Sequence, residues 1–356
     1  MNMPLSPETT GRADALSATT PETASSQRET LLPTAFGLQA ELPASKRLRS
    51  RIDGHREAIK RIFSGEDTRT LVVIGPCSIH DEVAALEYAE RLGRLAGEIS
   101  DRFLVVMRAY LEKPRTTVGW KGLLYDPERT GAGDLAQGLV RSRRLLLNLG
   151  EMGLPLATEA LSPMAMDYLG DLVSWTAIGA RTTESQIHRE MVSGLPMPVG
   201  FKNGTDGSVA AAVNAMKSAA HSHHRLGVTS QGAPAMITTA GNRHTHLVLR
   251  GGHGVTNYDA SSIGEAVKAL TGAGLHTGVM VDCSHDNARK QPARQLDIAR
   301  DVMAQKAAGN ASIRGLMLES FLQPGRQDDG PDLIHGCSLT DPCIGWEQTE
   351  ALLTSL

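Results

Sequence analysis

The chain has 356 residues, 41% of them hydrophobic and 21% charged, enough for one large core or two modest ones. Its net charge of −3 supplies no global basic field for nucleic acid or an anionic membrane. No run of about 18 apolar residues is present to span a bilayer. The four cysteines, Cys77, Cys283, Cys337 and Cys343, include no CxxC pair, so the chain reads as a reduced, cytoplasmic protein without disulfides. The basic-then-apolar order of a signal peptide is missing, and Glu8, Asp14, Glu22 and Glu29 argue against a transit peptide.

Residues 1–28 are rich in Thr, Ser, Pro and Ala and read as a disordered or weakly held N-terminal arm. Residues 29–70 form an extension whose Ser50–Phe63 segment predicts an amphipathic helix, with Ile52, Ile59, Ile62 and Phe63 on one side. A regular alternation begins at Leu71. Apolar runs suited to buried parallel strands recur at Leu71–Gly75, Phe103–Arg108, Leu156–Glu159 and Ala177–Arg181. The series continues at Val199–Lys202, Leu247–Arg250, Val279–Asp282 and Gly315–Glu319. Helical stretches lie between them, clearest at Glu82–Ala96, Asp134–Leu149, Val209–His221, Ser262–Leu270 and Arg294–Ala307, with a last one at Trp346–Leu353. About eight strand–helix units predict a closed (β/α)8 TIM barrel over residues 71–356. An open doubly wound sheet fits less well, because its GxGxxG turn is absent. The Thr-, Gly- and Val-rich stretch 227–243 predicts an inserted β-hairpin.

Chemically capable residues fall at the C-terminal ends of the proposed strands, where barrels build active sites. In chain order these are Cys77, Arg108, Glu159, Arg181, Lys202, Arg250, His285 and Glu319. The loop after the second strand adds Lys113 and Arg115. Any one of these Arg and Lys residues reads most simply as a surface or ion-pair residue. Their convergence on one mouth predicts a substrate with about two anionic groups or more, since Arg forks suit phosphate and carboxylate.

Cys77, His285 and Glu319 end different strands, and Asp341 lies in the loop after the last. A thiolate, an imidazole and two carboxylates would make a mixed site for Mn²⁺, Fe²⁺, Co²⁺ or Zn²⁺, whereas Mg²⁺ and Ca²⁺ rarely take sulfur. Singly, Cys77 reads as a buried small residue and His285 as a core histidine. Other candidates read as structural: His221, His223 and His224 as a solvated helix end, Cys283 as a packed strand residue, and Cys337 and Cys343 as packing around Asp341. Trp120 reads as a loop aromatic that shapes the pocket or pins its loop.

The segments LVVIGPCSIHD from Leu71, LEKPRTTVGWKG from Leu111, GARTTES from Gly179 and GFKNGTDG from Gly200 occur in one order with LRGG, DCSHDN and SLTDPCIGWE. Together they closely resemble the type I 3-deoxy-D-arabino-heptulosonate 7-phosphate (DAHP) synthases, from about residue 30 to the end. The resemblance implies condensation of phosphoenolpyruvate with erythrose 4-phosphate and water, the first committed step of aromatic amino-acid biosynthesis. It implies a metal held by Cys77, His285, Glu319 and Asp341. Phosphoenolpyruvate would meet Arg108, the Ala180 backbone, Arg181, Lys202 and Arg250, with Glu159 near its phosphate. Lys113, Arg115 and Thr116 would meet erythrose 4-phosphate, with Lys113 as proton donor. The family further implies a homodimer or homotetramer and an aromatic amino-acid effector.

The sequence departs from the family where Phe321 replaces a common His, and where Pro196 stands in a region linked to feedback inhibition. Rival readings are a 3-deoxy-octulosonate 8-phosphate synthase, a Schiff-base aldolase using Lys202, and a non-catalytic phosphometabolite binder. The KPRTT loop, the metal-ligand set and the full complement of anion-binding residues count against them respectively.

Overall fold

A computed structural model describes residues 29–115 and 118–356. The expected N-terminal arm, residues 1–28, and the candidate Thr116 lie outside the described residues. Two helices come first, α1 (Ala35–Glu41) and α2 (Lys46–Ser64). The alternation then runs β1 (Thr70–Gly75), α3 (Glu82–Glu98), β2 (Phe103–Arg108), α4 (Leu135–Glu151), β3 (Leu156–Glu159) and α5 (Pro163–Leu169). It continues through β4 (Trp175–Ile178), α6 (Gln186–Val192), β5 (Val199–Lys202) and α7 (Ala210–Ala219). A hairpin follows, β6 (His224–Val228) and β7 (Pro234–Thr238), then β8 (Thr245–Leu249) and α8 (Ala260–Gly272). The last elements are β9 (Val279–Asp282), α9 (His285–Ala288), α10 (Arg294–Ala307), β10 (Ile313–Glu319) and α11 (Trp346–Ser355).

The eight strands other than the hairpin close a barrel in the order β1-β10-β9-β8-β5-β4-β3-β2, all parallel. Most are buried along their whole length, which explains why they read as continuous apolar runs rather than alternating ones. Helix starts are set by local chemistry. Ser45, Asp81, Asp134 and Asp259 each accept a hydrogen bond from a first-turn amide. The Ser45 cap starts α2 four residues earlier than the apolar spacing alone predicts.

Helix α2 has a second task. Its Ile59 and Ile62 share one core cluster with Val73, Val106, Trp175 and Met280. Its Phe63 stacks on His246 near the start of β8, ring centroids 3.5 Å apart, and the Trp175 indole donates to His246 Nε2 at 3.2 Å. The helix thus packs against the end of the barrel opposite the strand C-termini.

Three expectations need correcting. Strand β4 ends at Ile178, not Arg181, because the amides of Thr182 and Thr183 turn back onto Gly179 O; Arg181 sits in that turn. Cys283 follows β9 instead of lying within it, although it is fully buried as expected. His224 belongs to the hairpin rather than a helix end, whereas His221 and His223 cap carbonyls of α7 at 2.8 Å. The hairpin itself pairs five residues of each strand and starts three residues before the expected 227–243 stretch. Helices α5 and α6, seven residues each, are too short to carry a readable period.

Candidate active site

The strand C-termini surround a cavity of about 570 Å³. Its lining includes Lys113, Arg115, Glu159, Ala180, Arg181, Lys202, Arg250, His285 and Asp341, nine of the residues singled out from the sequence. The lining also takes in Thr205, His253, Asp286 and Lys290, which sequence reading passed over. Asp286 and Lys290 were within sight, one and five residues past His285.

Cys77, Arg108 and Glu319 are buried and do not line this cavity, although Glu319 lines a smaller one shared with Arg250, His285 and Asp341. Gly75 makes their arrangement possible. Its φ is +152°, and a Cβ there would stand 2.9 Å from the Arg108 carbonyl oxygen. The chain can therefore bring the end of β1 against the end of β2. Arg108, 1% exposed, reaches Glu319 Oε1 at 3.0 Å and lies over the Tyr110 ring at 4.0 Å. Its Nη1 nitrogen is buried with no hydrogen-bond partner among the described residues, an unspent donor within the site.

Ligand atoms of Cys77, Glu319 and Asp341 lie within 4.8 Å of one another. His285 is not in that tight group among the described residues, though it lines the same cavity as Asp341. Its Nδ1 faces Asp282 Oδ2 at 2.8 Å and Ser284 Oγ at 2.7 Å, a carboxylate–imidazole pairing that fixes the ring and leaves Nε2 for a ligand. His285 holds φ +46°, a strained backbone for a residue with a side chain.

The electrostatics agree with a site built for cations and anions together. Burial pushes the Cys77 thiol up to about 11, with Glu319 and Asp341 adding to the effect against Lys113 and Arg108. A thiol so placed ionises at neutral pH only when a cation joins it. Burial alone would also raise Asp341, but Lys113, His285 and Lys290 hold it below the usual carboxylate range. Lys113 Nζ stands 3.1 Å from Cys77 Sγ. Burial opposes its charge, yet Cys77, Glu319 and Glu159 outweigh this and raise its proton affinity. Asp282, fully buried, is held well below its ordinary value because His285 and Lys202 outweigh desolvation; Lys202 Nζ is 2.9 Å away.

On the anion side, Arg250 pairs with Asp286 at 2.8 Å, and Arg115 Nε donates to Trp120 O at 2.8 Å. Trp120 in turn donates its indole N–H to Asp126 O at 2.7 Å, so it pins the loop. Glu159 packs against Gly179, where a Cβ would come within 2.4 Å of its Oε1.

A donor set of one thiol, two carboxylates and an adjacent imidazole fits a borderline divalent ion. Comparison with known proteins agrees with this chemistry. The sequence model of the DAHP synthetase I family matches residues 42–354. The Tyr-sensitive phospho-2-dehydro-3-deoxyheptonate aldolase of Escherichia coli (strain K12) is 52% identical over 331 residues, spanning 92% of this chain and 93% of that protein. The Phe-sensitive counterpart from the same strain is 49% identical, spanning 92% and 94%. A solved phospho-2-dehydro-3-deoxyheptonate aldolase structure from Francisella tularensis SCHU S4 superposes with a TM-score of 0.90 at 41% identity, over 92% of this chain and 96% of that one.

Proposed function

The chain belongs to the DAHP synthetase I family, and from that membership we propose that it joins phosphoenolpyruvate to erythrose 4-phosphate and water, releasing DAHP and phosphate. The observation that carries the reading is the cavity itself, where Lys113, Arg115, Arg181, Lys202 and Arg250 gather beside Cys77, Glu319 and Asp341. Asp282 and Asp286 offset part of this charge, and a cavity lined by so many cations still favours dense anionic ligands.

Cys77, Glu319, Asp341 and the Nε2 of His285 would hold a divalent ion, Mn²⁺, Fe²⁺, Co²⁺ or Zn²⁺. When bound, such an ion supplies Lewis-acid polarisation of the aldehyde oxygen. The protein does the rest. Arg181, Lys202, Arg250 and the orphan Nη1 of Arg108 orient phosphoenolpyruvate, with the Ala180 backbone beside it and Glu159 close to its phosphate. Arg115 takes the phosphate of the aldose, with Thr116 as its neighbour in the chain. C3 of phosphoenolpyruvate attacks the aldehyde carbon, and positive charge left at C2 is captured by water. Lys113, kept protonated by its anionic neighbours, gives its proton to the developing alkoxide. The hemiketal phosphate then collapses to the C2 ketone and phosphate leaves; of the two protons brought by the water, one restores Lys113 and the other departs with the phosphate.

Lys202 is locked against the ionised Asp282, which counts against its serving as the free amine of a Schiff-base aldolase. The test is a steady-state assay of purified protein with each aldose phosphate, with and without chelator. Turnover with erythrose 4-phosphate, lost to chelator and restored by metal, is the expected result. Turnover with arabinose 5-phosphate instead, or activity surviving chelation with a borohydride-trapped adduct, would overturn the reading. Titrating Phe, Tyr and Trp into the same assay tests feedback by an aromatic amino acid, and light scattering tests assembly as a dimer or tetramer.

A further inference from the structure

One buried acid stands beside the cavity and takes no part in the chemistry above. Glu112 is 5% exposed and directly precedes Lys113. Its Oε1 accepts from the Tyr125 phenol at 3.1 Å, and its Oε2 accepts from the Ser162 amide at 3.4 Å. Tyr125 belongs to the same loop as Lys113 and Arg115. Ser162 belongs to the segment that follows Glu159, whose next neighbour Leu161 lines the cavity. One carboxyl therefore bridges two of the loops that form the mouth.

We propose that Glu112 is a positioning residue of the condensation, a buried carboxyl that fastens the Lys113–Arg115 loop to the segment behind Glu159 and carries a proton when substrate anions fill the cavity. The inference rests on the phosphorylated-substrate reading above. Burial pushes the Glu112 carboxyl up to about 7, and Glu159 adds to this against the Ser162 and Tyr125 donors. Among the described residues, the titratable groups facing it are Tyr125, from its own loop, and Glu159, from the end of β3. Neither offers it a positive charge. Dianionic ligands in the cavity add a further like charge across a desolvated gap, which favours the neutral acid. Ligand affinity then falls as pH rises through the neutral range, because binding to the ionised form must first recover a proton. An ionised Glu112 would also repel Glu159 and loosen the joint between the loops.

The experiment compares wild type, Glu112→Gln and Glu112→Ala through kcat/KM for phosphoenolpyruvate against pH. A parallel measurement follows proton uptake on binding sulfate, a dianion that does not itself titrate here, by calorimetry in buffers of different ionisation heat. Wild type should lose kcat/KM through about pH 7 and take up part of a proton on sulfate binding. Glu112→Gln should lack both the inflection and the uptake. Glu112→Ala should raise KM for both substrates by about tenfold, with kcat less affected, as expected for lost loop positioning. Superimposable pH profiles for wild type and Glu112→Gln, or wild-type KM values in Glu112→Ala, would overturn the proposal. Should Glu112→Ala fail to fold, the Gln variant still decides. A wild-type protein that does not condense the two substrates sinks the proposed function, while the sulfate measurement still judges Glu112.

Discussion

Single side chains carry the clearest consequences. Cys77 is a fully buried thiol that burial, with Glu319 and Asp341 outweighing Lys113 and Arg108, holds protonated until a metal ion joins it. Cys77→Ala should abolish turnover, and activity measured after chelation and metal readdition should stay absent. Wild-type activity in that assay would remove Cys77 from the ligand set. Lys113→Met should lower kcat by about 10²–10⁴-fold with little change in KM, the range for a lost general acid; an unchanged kcat would exclude it as the proton donor. Glu319, a ligand in the proposal above, also faces Arg108 in a pocket where both are nearly inaccessible. Glu319→Gln leaves a buried guanidinium without its counter-charge, which costs about 3–5 kcal/mol when one partner of a buried pair is removed. Urea unfolding checks this, and a loss below about 1 kcal/mol would show that the pair is solvated well enough to be cheap.

At the scale of elements, the helices ahead of and around the barrel are fastened by buried arginines rather than by apolar contact alone. Arg143, on α4 and 1% exposed, donates to Leu42 O and Tyr168 O, both at 2.8 Å, and forks onto Asp171 at 2.7 and 2.9 Å. It ties the α1–α2 junction to α5 and the turn after it. Arg56 on α2 does the same to Gly170 O and Val173 O. Arg143→Met should lower stability by about 3 kcal/mol, because three carbonyl and carboxylate partners lose their donor at once. A melting temperature within error of wild type would refute the clamp. Neither clamp was readable from the sequence, where Arg143 looks like one of three basic residues on an amphipathic helix. Their acceptors come from parts of the chain 25 to 117 residues away.

For the molecule as a whole, sensitivity to acid follows from histidines buried as neutral bases. Desolvation lowers His246 to about 3, and burial lowers His80 to about 4 despite the nearby Asp81. In the unfolded chain both protonate near their ordinary value of 6.5. Between that value and their folded values, the unfolded state therefore binds more protons. Stability should be at its full value above about pH 6.5 and fall on acidification, by roughly 1.4 kcal/mol per pH unit for each histidine. Urea midpoints from pH 7 to 5 test this, and a flat or rising profile would contradict it.

The sequence by itself determined the barrel, because eight buried parallel strands each leave a continuous apolar run bounded by turns. It also determined which residues face the mouth, since a strand's last polar residue is fixed by where its apolar run stops. Lys202 and Glu159 were legible for that reason. Only the tertiary structure decided the layering of the site. It buried Arg108, Cys77 and Glu319 away from the main cavity's lining, set His285 just outside the tight ligand group, and moved Arg181 into a turn. Those outcomes depend on how strand ends approach one another. Gly75 permits one such approach against Arg108, and Gly179 permits another against Glu159. Periodicity along one chain segment carries no information about the distance to another, so Glu112 became visible only once the loops were closed around the cavity.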